Sequence, residues 1–95
     1  MESEKLHEVL AKIPKGRWMS YADVCTAAGG DTRQAIGLNQ RLIREQPKNA
    51  HRVLKSTGGV AENALGDGFV VRQRLEKEGL TFTGGRADPD RRVRV

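Results

Sequence analysis

The sequence predicts a mainly α-helical single domain with a small β wing. Three observations support this. A chain of 95 residues fits one small domain and leaves no room for a second core of ordinary size. Apolar residues recur at helical spacing in the first half of the chain and again near residue 70. Between them, residues 52–60 read as a short strand, a glycine turn and a return. Hydrophobic residues make up 37% and aromatics 4%, so the core is expected to be modest and aliphatic. Charged residues reach 31%, yet Leu, Ile and Val keep their period, which argues against disorder.

In chain order, Leu6, Val9, Leu10 and Ile13 follow i, i+3, i+4, i+7 and mark one face of a first helix, with Ser3 as its expected N-cap. Pro14 and Gly16 end it. Arg17, Trp18 and Met19 form an extended link. Ser20 with Asp23 three residues on reads as a capping box for a second helix, which stops at Gly29-Gly30. Asp31 or Thr32 caps a third, carrying Ala35, Ile36, Leu38, Leu42 and Ile43 and ending before Pro47. Its other face shows Arg33, Gln34, Gly37, Gln40, Arg41 and Arg44.

Two helices joined by a short glycine-containing turn, the second amphipathic and basic, outline a helix-turn-helix. Gly37 inside that helix costs about 1 kcal/mol relative to alanine. It points either to close approach to another surface or to packing against a neighbouring helix. Arg52–Lys55 is the strand candidate, Ser56–Gly59 its turn and Val60 the return. Residues 61–68 form a loop. Phe69, Val71, Arg72 and Leu75 begin a last helix that stops at Gly79, after which Leu80, Thr81 and Phe82 pack back. Residues 84–95 are rich in Gly, Asp, Pro and Arg and read as a partly ordered tail. Together this is a winged helix-turn-helix-like single domain over residues 1–95.

Several function classes are set aside by composition. One cysteine, Cys25, forms no internal disulfide, and with two histidines it is too little for a four-ligand zinc cage. No metal or cofactor is expected. Apolar runs are far too short to span a membrane, and the first 13 residues lack the apolar run of a secretory signal. A cytoplasmic protein is expected, nucleoid-associated in a bacterium and nuclear in a eukaryote.

The net charge of +5 is unevenly placed. Residues 1–30 balance four basic against four acidic side chains, and residues 56–95 carry a net +1. Residues 31–55 set Arg33, Arg41, Arg44, Lys48, Arg52 and Lys55 against Asp31 and Glu45, a net +4. A local basic stripe points to a polyanion or, alternatively, to a solvated face.

The order of motifs resembles the DNA-binding domain of the O6-alkylguanine-DNA alkyltransferases over about residues 6–90. Ile13–Val24 resembles its start, Gln34-Ala35-Ile36-Gly37 the start of its recognition helix, and Ala50-His51-Arg52-Val53 its active-site motif Pro-Cys-His-Arg-Val. Ser56–Gly59, Arg72–Leu80 and Gly85–Asp88 resemble the following turn, the closing helix and the tail of short members. Ala50 stands where the enzymes carry the cysteine that accepts the alkyl group. A methyl side chain has no lone pair with which to do so. Cys25 reads instead as a small buried residue.

The chain is therefore similar to the alkyltransferase-like proteins, the short branch that binds O6-alkylguanine without repairing it and flags it for nucleotide excision repair. That resemblance implies minor-groove binding, with base flipping, by Ser20, Tyr21, Arg33, Gln34, Ala35, Gly37, Gln40 and Arg41. It implies a lesion pocket of Asn49, Ala50, His51, Arg52 and Val53. The implied partners are double-stranded DNA with alkylated guanine and nucleotide excision repair proteins, with the protein a monomer. Gln34 occupies the place of the family's intercalating arginine, so Gln34, the adjacent Arg33 or a one-residue slip would supply the wedge. A His51–Glu78 hydrogen bond is implied as structural. Three departures stand out: Asn49 replaces the family's proline, the Gly37–Ala50 segment is one residue shorter, and residues 61–68 do not match the substrate-binding loop. A winged-helix DNA-binding or regulatory protein without lesion specificity is the alternative.

Overall fold

A computed structural model describes residues 1–94. Helix α1 spans Ser3–Ala11, strand β1 Met19–Ser20, α2 Tyr21–Ala27 and α3 Ala35–Glu45. Strand β2 (Val53–Leu54), helix α4 (Gly68–Lys77) and strands β3 (Phe82–Thr83) and β4 (Arg86–Ala87) follow. Short 3-10 turns cover Thr32–Gln34, Ala50–Arg52, Ala64–Gly66 and Pro89–Arg91. Each helix begins or ends close to where the apolar period and breakers place it. Ser3 is the exception by one position: it is the first helical residue, after a Glu2 N-cap that makes no side-chain cap bond. Ser20 caps α2 by accepting the Asp23 N–H at 3.1 Å. The Asp23 carboxylate does not close the expected box, because Arg92 takes it at 2.8 Å.

The core has two halves divided by a two-strand parallel pair, Met19 opposite Val53 and Ser20 opposite Leu54. Neighbouring residues of a strand point to opposite sides. Met19 and Val53 accordingly join Leu6, Leu10, Ile13, Val24, Leu38 and Leu42 between α1, α2 and α3. Trp18 and Leu54 join Val71, Leu75, Leu80 and Ala87 beneath α4. This corrects the expected hairpin over 52–60. The 52–60 segment does turn back, with Lys55 N–H donating to Gly59 O at 3.0 Å, but β2 pairs with β1 instead. The antiparallel wing is β3–β4, whose Gly84 and Gly85 both take positive φ, as a two-residue hairpin turn requires.

Residues 84–94, expected as a partly ordered tail, instead form that wing and a strap across Trp18. Trp18 N–H donates to Arg91 O at 3.2 Å, Val93 N–H to Trp18 O at 2.8 Å, and the indole Nε1 to Asp88 O at 2.9 Å. The Arg92 guanidinium lies 5.4 Å from the Trp18 ring centroid while pairing with Asp23. These contacts join positions some 70 residues apart, which local pattern does not report. No helix among the described residues is long and apolar enough to cross a membrane.

Candidate nucleic-acid interface and lesion cavity

Helix α3 buries Leu38 and Leu42 and turns the opposite face outward. Its start is fixed by Asp31, whose side chain accepts the Arg33 N–H at 2.9 Å while Gln34 Oε1 accepts the Asp31 N–H at 2.8 Å. This is a reciprocal capping box. Both wedge candidates are thereby engaged: Gln34 is folded back on Asp31, and Arg33, though exposed, donates to both Asp31 oxygens at 3.3 and 3.1 Å. The large apolar side chain that projects is Ile36, 91% exposed and not part of the core face expected for it.

Beside it, Gly37 settles a question the sequence left open. A Cβ built there would meet nothing within 4 Å, so no neighbouring helix requires a glycine. Gly37 faces outward with open space above it. Gln40 and Arg44 continue the exposed face, and Ala35 is partly packed against the core.

Two residues expected at the DNA face sit elsewhere. Ser20 is fully buried and held by Asp23 N–H and the Arg92 guanidinium, which leaves its hydroxyl to the fold. Arg41 is turned toward α1: it pairs with Glu45 at 2.7 Å and donates to Met1 O at 2.8 Å and Ser3 Oγ at 2.9 Å. That contact holds the Glu45 carboxyl at about 2. Tyr21, first in α2, is half-buried against the core, and burial raises its phenol pKa. Of the six cations in the 31–55 stripe, Arg41 and Arg52 are spent internally, while Arg44, Lys48 and Lys55 stay exposed.

Next to α3 lies a cavity of about 550 Å3, lined by the C-terminal part of α3, residues 46–52, Leu65, and Arg74 and Glu78 of the closing helix. That size falls in the roughly 300–1,000 Å3 range of small-ligand clefts. Ala50 lies in its wall, 6% exposed. All three non-glycine residues with positive φ among the described residues, Gln46, Asn49 and Leu65, line it. Strain of this kind persists only where surrounding bonds over-determine it. Asn49, at φ 66, donates its side-chain amide to Leu10 O at 3.0 Å and Ile13 O at 3.4 Å, capping the end of α1. Proline, locked near φ −65°, cannot take this conformation, which explains the departure at this position. Leu65 is held by Asn39 of α3, whose Oδ1 accepts its N–H at 3.0 Å.

Behind Ala50 is a closed ionic hub. Glu78 accepts from Arg52 Nε at 3.0 Å and Nη2 at 2.9 Å, and lies 2.9 Å from His51 Nε2. Arg52 also donates to Ile13 O at 2.8 Å. The His51–Glu78 bond implied by the resemblance is therefore present. Arg52 beside Glu78 pulls that carboxyl down to about 2, and burial holds His51 below its ordinary value. The stable pairing is carboxylate with neutral imidazole, the proton on Nε2 facing the acid. Val53, expected in the pocket, is buried in the core behind it. Cys25 is fully buried in α2, and burial raises its thiol pKa, which disfavours the thiolate. Sequence reasoning did not single out Lys48, Leu65 or Arg74 for the cavity, since only tertiary contact brings them together.

Comparison with known proteins agrees with this geometry. Residues 2–80 match the family described as 6-O-methylguanine DNA methyltransferase, DNA binding domain. The methylated-DNA–protein-cysteine methyltransferase of Methanothermobacter thermautotrophicus is 32% identical over 77 residues, covering 81% of this chain but 43% of that protein. The chain thus spans under half the length of that curated relative. Among solved structures, S. pombe Atl1, crystallised in complex with damaged DNA containing O6-carboxymethylguanine, superposes with a TM-score of 0.75 at 22% identity over all of both chains. The fold is the one that protein takes, and the chain belongs to the 6-O-methylguanine DNA methyltransferase DNA-binding-domain family.

Proposed function

We propose that the protein binds double-stranded DNA through the outer face of α3 in the minor groove and holds an extruded O6-alkylguanine in the cavity at Ala50. It does so without transferring the alkyl group, and marks the lesion for nucleotide excision repair. The observation that carries this reading is a cavity of about 550 Å3 opening beside an exposed helix face whose Gly37 has no internal reason to be glycine. Extruding a base costs a few kcal/mol, which pocket contacts and a side chain entering the stack offset. Ala50 offers no atom to accept an alkyl group, and Cys25 is buried away from the cavity. The protein acts as a monomer wherever the genome is, cytoplasmic in a prokaryote and nuclear in a eukaryote.

Titration of duplexes with and without one O6-methylguanine at matched salt tests this. At least about tenfold preference for the lesion is expected, and equal affinity overturns it. Repeating the titration with Arg33→Ala, Gln34→Ala and Ile36→Ala identifies the side chain that replaces the extruded base. Alkyl transfer is tested separately by intact mass after incubation with methylated DNA, where no added methyl group is expected.

One observation favours a second reading, DNA binding without lesion selectivity: Gln34 and Arg33 are both committed to Asp31, so neither is poised to enter the stack. The same titration separates the two readings, whereas salt dependence does not, since phosphate contacts dominate both.

A further inference from the structure

Arg74 lines the cavity, and its exposed guanidinium makes no hydrogen bond or ion pair to any described residue. On a helix its default partner is the acid four residues on, Glu78. That acid is already engaged: Arg52 donates to both of its oxygens, and His51 makes the third contact. Arg72, one position from the same stripe, shows the ordinary outcome, pairing with Glu76 at 3.6 Å and covering the Phe82 ring. Arg74 is thus a cation on the cavity wall whose sequence-local carboxylate has been taken by others. Lys48, also exposed, lines the same cavity. The residues lining it include one acid, Glu78, neutralised by Arg52, so the cavity is net positive.

Resting on the proposed function, we propose that Arg74 is a specificity-determining residue that engages an anionic group on the O6 substituent. The protein then prefers guanine adducts carrying a carboxylate over neutral alkyl adducts. Chemistry supports a carboxylate as the ligand, because the planar fork of a guanidinium can donate two parallel hydrogen bonds to it. A phosphate of the extruded nucleotide offers similar oxygens, but it is present in every duplex and discriminates nothing. The two sources therefore leave different signatures.

The experiment compares three otherwise identical duplexes, containing guanine, O6-methylguanine or O6-carboxymethylguanine, against the wild-type chain and Arg74→Gln at one salt concentration. Arg74 is exposed and unpaired, so the variant is expected to fold, with an unchanged thermal midpoint. Wild type is expected to bind the carboxymethyl duplex about tenfold tighter than the methyl duplex. Arg74→Gln is expected to abolish that ratio, the carboxymethyl and methyl duplexes then binding alike. A carboxymethyl preference that survives in Arg74→Gln, or is absent from wild type, overturns the assignment. An equal loss on all three duplexes also overturns it and places Arg74 on a phosphate. Equal wild-type affinity for the methyl and unmodified duplexes overturns the proposed function itself, an outcome read from a different pair of duplexes.

Discussion

Two groups of charge flank Ala50, and they are built oppositely. Behind it, Glu78, Arg52 and His51 close on one another within 2.9 to 3.0 Å. On the cavity wall in front of it Lys48 and Arg74 remain exposed, and the outer face of α3 carries exposed Ile36, Gly37 and Arg44. The basic residues of the two groups look alike in sequence. What separates them is whether a carboxylate lies within reach in the fold. Closed groups hold the structure, and open ones stay accessible to solvent.

The contrast breaks most visibly at the hub. Glu78→Ala strands a partly buried arginine and a buried histidine, and a loss of about 3 kcal/mol is expected in urea unfolding. A loss below about 1 kcal/mol would mean that the hub is a solvated pair of little weight. Next is Asn49→Pro, which imposes φ near −65° on a residue at φ 66 and removes the cap on α1. About 3 kcal/mol or more is expected, read as a lowered melting temperature. A stable variant would show that the Asn49 cap is dispensable.

Acidification probes the hub without mutation. The Glu78 pKa is lowered from 4.5 to about 2 in the folded chain, so its contribution is complete above pH 4.5 and drains away as pH falls toward 2. His51, lowered from 6.5 by burial, acts in the same direction, losing stability as pH drops below about 6.5. For Glu78 the expected loss between pH 7 and 3 is about 2 kcal/mol, with His51 adding to it in the same direction. A urea midpoint that does not move across that range would refute the hub's electrostatics.

On the open side the expected sign reverses. Gly37→Leu meets open space and replaces the poorest common helix former, so stability should rise by about 0.5–1 kcal/mol. DNA affinity should fall at least about tenfold as the helix is held off the groove. Stability and affinity falling together would instead assign Gly37 to the fold.

Much of the fold could be read directly. Apolar spacing located four helices, Gly and Pro their ends, and the Ser20 cap was found, because these depend on residues three or four apart. Motif order was likewise enough for the family. The β1–β2 pairing is not legible in the sequence because a two-residue strand carries almost no periodic signal, and its partner lies 34 positions upstream. The order of the tail is hidden for the same reason: Asp88, Arg91 and Arg92 are bound to Trp18, Ser20 and Asp23, far away in sequence.

The site divides along the same line. By itself, the sequence determined that no nucleophile stands at position 50 and that positive charge concentrates in residues 31–55, since both are matters of residue identity. Only the tertiary structure decided which charges are available. It turned Arg41 toward Met1 and Ser3 of α1, set Arg52 on Glu78, and left Arg74 and Lys48 on the cavity. A charge becomes structural or functional according to its nearest neighbour in space, and the chain order does not record that neighbour.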